Sequence, residues 1–338
     1  MRTRNGSVGA AESPVTRDSG DAAGRDQRPG SPGDRYLGIG LAVALLALAV
    51  LAVTTHRFLS LDNARAILAS AAFVGIAAIG ATPVMIAGSA VSLATSQTAT
   101  VVAMLFLATQ QLGLWTALLI AVAAGVALTG AQGAIIGFWG SNPIVLTIAA
   151  GFAIGGAATW FSGGTPVNPA ARGFDVLNSA PLGLPLAVYV LLVTTAVAQW
   201  SLRRTTAGRQ MYLIGENRAA ARAAGLPVGR VTVLAWAFFG ACVSLTGVFL
   251  AAFNTSATVT LGGTLTLDAI AAVLVGGTAI AGGRGSAVRT LGGALLIAAI
   301  SDVLLLRGYS TGAQILVKGL LVLVVVIAVH VRTTRGQR

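Results

Sequence analysis

Side chains able to do chemistry are sparse in this sequence. Its 338 residues contain two histidines, His56 and His330, one cysteine, Cys242, one lysine, Lys318, and ten carboxylates. Catalysis by a nucleophile or a metal needs a base, an activated atom or several ligands at close spacing. The two histidines lie far apart, and no metal-ligand spacing surrounds either. Cys242 lies within an apolar run and reads as a packing residue. Lys318 is followed by Gly319, whereas a phosphate-cradling loop needs Gly-Lys-Ser/Thr at its end. The chain therefore supplies no ATP site of that kind, and no His/Asp/Glu cluster of the sort a membrane-embedded enzyme would want.

One polar constellation stands out, SLRRTTAGRQMYLIGENRAAARAAGLPVGR at 201–230. Arg203, Arg204, Arg209, Arg218, Arg222 and Arg230 fall in it, opposed only by Glu216. A short helix is punctuated inside it. Asn217 is a good N-cap, 218–224 are strong helix formers, Gly225 fits the C′ position and Pro227 blocks continuation. Such a helix is about 10 Å long. Arg218 and Arg222 share one side, four residues apart, and small Ala219, Ala220 and Ala223 would let it enter a narrow cleft. Two readings fit: a cytosolic coupling helix that a motor subunit pushes, or an interhelical loop with a solvated basic face.

The elements that carry this stretch are apolar. The chain is 55% hydrophobic and 9% charged, against about 25% charged for soluble domains. Long Leu/Val/Ala/Ile runs recur, each near the ~20 residues that cross ~30 Å of hydrocarbon. They do not alternate, so helices rather than a barrel are implied. The expectation is an all-α integral membrane protein of about ten spans, at 37–53, 66–86, 99–109, 114–138, 143–161, 184–200, 231–253, 267–280, 287–306 and 311–331. Residues 1–36 read as a disordered cytosolic tail, 37–332 as the membrane domain and 333–338 as a second cytosolic tail. The net charge of +12 lies in loops. It is not interleaved with aromatics, so nucleic acid is not an expected partner; the lipid bilayer is.

Ten spans put both termini on one side. Of 21 arginines, only Arg57, Arg65, Arg172 and Arg307 then fall on the other, which assigns the termini and 201–230 to the cytosol. The uncharged Gly/Ser/Thr stretch at 87–100 reads either as a broken or re-entrant helix lining a cavity, or as small-residue packing. On the first reading Ser92, Ser96 and Gln97 face a polar pathway. Asn142 and Trp160 are weaker pathway candidates. Asp302 and Lys318, at similar depth in adjacent spans, form a candidate ion pair, with separate snorkelling as the alternative. Asp268 reads as a cap of its helix.

The sequence resembles a known family over residues 57–332: the permease subunits of ribose-type (carbohydrate-uptake) ABC importers, within the branched-chain amino acid/ribose-type permeases. RTTAGRQMYLIGENRAAARAAGLPVGRV at 204–231 is similar to the family's cytosolic loop. LDAIAAVLVGGTAIAGGRGSAVRTLGGALL at 267–296 is closer still. NPIVLTIAAGFAIGGAA at 142–158 and the SGG at 162–164 with Pro166 also fit. Two departures stand out. Where the family carries a Gly-Gly-Ile-Asp-Leu-Ser-Val-Gly-type segment, this chain has Gly88-Ser89-Ala90-Val91-Ser92-Leu93-Ala94, with Ala90 in place of aspartate. The glutamate before the Leu-Asp pair is replaced by Thr266.

The resemblance implies a mechanism. Two permeases, identical or homologous, form the path through a bacterial cell (inner) membrane. A separate ABC ATPase chain uses ATP and Mg and docks on the cytosolic loop, where Glu216, Asn217, Arg218, Ala219, Ala220, Arg222, Ala223 and Gly225 would be the contact. An extracytoplasmic binding protein delivers a sugar or related polar solute. No cofactor is expected on this chain. The competing reading is a stand-alone secondary transporter, which would place carboxylates or an ion cage near mid-membrane.

Overall fold

The computed structural model describes residue 58 and residues 60–169 and 175–335. The expected tail at 1–36 and the first span at 37–53 lie outside the described residues, as do 336–338. What is described is helix and turn, apart from one isolated bridge that pairs Val167 with Ala257 across two loops.

Eleven α-helices follow in order: α1 Leu61–Ile86, α2 Thr95–Thr109, α3 Leu114–Trp139, α4 Pro143–Ser162, α5 Leu186–Arg204, α6 Thr206–Glu216, α7 Arg218–Ala223, α8 Val228–Asn254, α9 Leu265–Val275, α10 Ala287–Leu306 and α11 Thr311–Arg335. Six of them (α1, α3, α4, α5, α8 and α10) are long and apolar enough to cross a membrane. With the shorter apolar helices they make a multi-pass membrane protein. α11 runs to Arg335, into the segment expected to be a tail. The basic stretch 201–230 holds more helix than expected, because α6 precedes the short α7.

The centre of the molecule is built from α1 and α8. From Ala71 to Ile86 most of α1 is buried, through Gly75, Ala77, Ala78, Gly80 and Ala81. Small side chains let backbones approach where no hydrophobic effect drives helices together in lipid. A Cβ on Gly80 would lie 2.5 Å from the Cβ of Cys242, so that thiol does pack. α3 meets α8 in the same way: a Cβ on Gly133 would lie 2.5 Å from the Cβ of Trp236, and the Thr129 hydroxyl donates to Trp236 O at 2.9 Å. At the periphery, α4 and α11 turn apolar faces outward; Phe152 is 80% and Leu316 68% exposed.

Two helices fall short of a full crossing. α2 has 15 residues and α9 has 11, about 22 and 16 Å at 1.5 Å per residue, against ~30 Å of hydrocarbon. Each follows a long central helix and a non-helical stretch, α1 then 87–94 and α8 then 255–264. The break expected at 87–100 is thus real, but helix resumes at Thr95, which puts Ser96 and Gln97 in the first turn of α2. The eighth span, expected at 267–280, stops at Val275, where Gly276 and the positive-φ Gly277 end it.

Candidate translocation and coupling site

The two half-helices meet at their N-termini. Ser96 and Thr266 are each the second residue of their helix. The Ser96 amide donates to Thr266 Oγ1 at 2.9 Å, the Thr266 amide donates to Ser96 Oγ at 3.0 Å, and the hydroxyls lie 2.8 Å apart. The first amides of a helix have no partner inside it, and an orphan amide within a bilayer costs several kcal/mol. Each half-helix therefore caps the other. A second tie flanks the first, from Gly262 N to Thr100 Oγ1 at 2.9 Å. Sequence reasoning missed Thr266 as a site residue. Its signal was the second Thr/Gly-rich stretch after a long span, mirroring the one before Ser96.

Further polar groups are buried in the segment before this junction and beside it. Ser92 Oγ donates to Gln132 Oε1 of α3 at 3.4 Å, and both residues are buried. Gln97 reaches toward α4, where a Cβ on Gly155 would lie 3.5 Å from its side chain; its Oε1 and the Ser89 hydroxyl are buried without a hydrogen-bond partner among the described residues. The structure therefore gives Ser92 a partner in Gln132 and Ser96 one in Thr266, while Gln97 turns toward α4. It does not bring Asn142 and Trp160 to them as a set. Asn142 caps α4, accepting from Ile144 N at 2.9 Å, while Trp160 stands near the other end, 80% exposed, its ring tilted 40° against Phe161 with centroids 5.3 Å apart. Eighteen residues of helix separate the two, about 27 Å, so one small solute cannot touch both.

The expected Asp302–Lys318 pair is not formed. Lys318 Nζ lies 2.6 Å from Asp268 Oδ1, and Thr264 Oγ1 donates to the other carboxylate oxygen at 2.7 Å. Asp302 instead accepts from Asn63 Nδ2 at 2.8 Å. Depth along the chain points to Asp302 as the partner of Lys318. Packing of α11 mainly on α9, not α10, selects Asp268 instead. Asp268 is correspondingly not a backbone cap; it sits in the first turn of α9 with its oxygens taken by side chains.

At the basic end, α7 has the punctuation read from sequence. Asn217 Oδ1 accepts from Ala220 N at 3.0 Å. Gly225 has φ +76, with its amide bonded to Arg222 O and the Leu226 amide to Ala221 O, both at 3.0 Å. This is a Schellman ending. Ala221 faces inward and is buried, whereas Glu216, Asn217, Ala219, Ala220, Arg222 and Ala223 are exposed. Arg218 is only half exposed. Its Nη2 donates to Ile136 O in the last turn of α3 at 3.2 Å, a favourable place for a cation at a helix C-terminus. Burial and the neighbouring Arg222 both lower its pKa.

α6 carries this end of the molecule onto the membrane helices. Its next-to-last residue, Gly215, abuts the end of α1 and the turn before α10: a Cβ there would fall on Ile86 O and Gly283 N. Gly283 N donates to Ile86 O at 2.9 Å. A Cβ on Gly282 (φ +91) would lie 2.7 Å from Gly88 Cα. Three segments, 86–88, 215 and 282–283, thus touch backbone to backbone, which only glycine permits. Tyr212 adds a tie from α6, its hydroxyl donating to Gly285 O at 3.0 Å.

Comparison with known proteins identifies the family. The family model described as branched-chain amino acid transport system / permease component matches residues 63–330. The ribose import permease protein RbsC of Escherichia coli K12 is 30% identical over 303 residues, covering 85% of this chain and 91% of its own. The probable ABC transporter permease protein YphD of the same strain is 32% identical over 304 residues, covering 89% and 91%. The autoinducer 2 import system permease protein LsrD of Yersinia enterocolitica is 34% identical over 156 residues, covering 44% and 47%. No solved structure matches the chain. Matched over most of its length, this multi-pass helical chain belongs to that branched-chain amino acid/ribose-type family of ABC importer permease components.

Proposed function

We propose that this chain is the translocation subunit of an ATP-driven importer for a sugar or related uncharged polar solute. It works in a bacterial cell membrane with its basic end and both termini cytosolic. Two permeases, identical or homologous, enclose the path, a separate ATPase chain uses ATP and Mg, and an extracytoplasmic binding protein delivers the solute. The observation that carries the reading is α7. It is capped at both ends and shows an outward face of alanines and Arg222. It is tied to α3 through Arg218 and reaches the ends of α1 and the turn before α10 through α6. A push on α7 therefore passes through α6 to the backbone at the end of α1 and of the turn before α10. The side chains that make the α2–α9 junction, Ser96, Thr100 and Thr266, carry hydroxyls, which hydrogen-bond solute hydroxyls without selecting a charge. Relatives named for ribose and autoinducer 2 import support that solute class.

The test is a cysteine at position 220, made as Ala220→Cys in a Cys242→Ala background. Cross-linking in membranes is expected to capture the ATPase chain, and uptake in vesicles to require ATP. Capture of no ATPase, or uptake driven by an ion gradient after ATP depletion, would refute the reading. A thermal-shift screen of the cognate binding protein against monosaccharides and polyols names the solute.

A further inference from the structure

At the basic end, α5 and the start of α10 border an open groove of about 440 Å³. The groove follows one face of α5. Leu192 and Ala196 line it together with Val288 of α10, all three exposed, and Trp200, Arg203 and Arg204 line its basic end. From Leu192 to Arg203 is eleven residues, about 16 Å, close to one leaflet of a ~30 Å hydrocarbon core. The walls are held by Gln199, whose Oε1 accepts from Ser286 Oγ at 3.1 Å and lies 3.4 Å from Val288 N. The groove is thus a fixed feature between two helices, not a gap that either can close alone.

Its basic end carries positive charge with nothing to neutralise it. Among the described residues, ion pairs join Asp62 to Arg65 and Asp268 to Lys318, and neither Arg203 nor Arg204 takes part in one. Both side chains are exposed. Arg289, one residue beyond Val288, adds to the same field: burial raises the pKa of the Tyr212 phenol, while Arg203 and Arg289 both pull it back down. Trp200 is 63% exposed at the level where aromatic rings settle between headgroups and acyl chains. A soluble anion could satisfy the arginines but would leave the apolar length of the groove empty.

We propose that this groove is a binding site for one anionic phospholipid of the leaflet on the basic side, its phosphate on Arg203 and Arg204 and an acyl chain laid along Leu192, Ala196 and Val288. The site couples that lipid to the mechanical parts, because Arg204 ends α5, α6 follows it within two residues, and Gln199 ties α5 to the start of α10.

The test uses the purified full chain and reads lipid retention by native mass spectrometry after exchange into palmitoyl-oleoyl phosphatidylglycerol or phosphatidylcholine. It involves neither transport nor the ATPase, so it fails or succeeds independently of the proposed function. Wild type is expected to retain one phosphatidylglycerol in preference to phosphatidylcholine. Arg203→Gln with Arg204→Gln is expected to reduce that preference on the order of 30-fold, about fivefold for each basic residue near a membrane surface. Ala196→Trp fills the groove with every charge left in place, and is expected to remove the retained lipid as well. If the arginine pair changes retention but Ala196→Trp does not, the attraction is diffuse and the site is refuted. If the arginine pair leaves retention unchanged, the lipid site is likewise refuted.

Discussion

Breaking the buried ion pair gives the sharpest test of how α9 and α11 are held. Asp268 and Lys318 side chains are 12% and 10% exposed, and their charged atoms are 2.6 Å apart. Asp268→Asn leaves an ammonium with no opposite charge, though the Thr264 hydroxyl can still donate to the amide oxygen. Lys318→Met leaves a carboxylate whose remaining described partner is Thr264. Either change strands one buried charge, which costs about 3–5 kcal/mol, whereas replacing both partners with neutral groups is often close to neutral. The double variant is therefore expected to recover most of the loss, for a coupling of roughly 5–9 kcal/mol, the sum of the two single losses less a small residual. Neutral hydrogen bonds between membrane helices average only about 0.6 kcal/mol, so a charge pair is distinguishable from a polar contact. The assay is equilibrium unfolding of the detergent-solubilised chain for wild type, both singles and the double. A parallel cycle on Asp302→Asn with Lys318→Met is expected to be additive within about 0.5 kcal/mol, as sites without shared partners usually are. Coupling near zero for 268 with 318, or larger coupling for 302 with 318, would refute the assignment.

The reciprocal caps behave as one unit. Ser96→Ala and Thr266→Val are each expected to lose about 1 kcal/mol of stability, and the double less than their sum, because either change breaks hydrogen bonds the two residues share; full additivity in the same unfolding assay would show that the caps act separately. Gly215→Ala places a methyl on Ile86 O and Gly283 N. Overpacking of this kind costs about 1–3 kcal/mol. On the proposed coupling route the variant is expected to keep binding the ATPase while uptake per ATP falls, and unchanged uptake would remove α6 from the route.

Much of this protein was legible without coordinates, and the reason is physical. A bilayer demands continuous apolar helices, so α1, α3, α4, α5, α8 and α10 were visible as runs of the right length. Caps are local chemistry, so Asn217 and Gly225 marked α7 in the sequence itself. Basic loops separate from apolar spans by composition, which is how 201–230 stood out. Contacts distant in sequence had no such signal. Periodicity could not say that α2 and α9 would meet end to end, since Ser96 and Thr266 are 170 residues apart. Depth alone pointed to Asp302 rather than Asp268 for Lys318; the choice depends on which neighbour α11 packs against. The meeting of Gly88, Gly215, Gly282 and Gly283 was likewise hidden, as each glycine taken alone looks like an ordinary turn residue. Only when three segments converge does the absence of a side chain become a reason for them to touch.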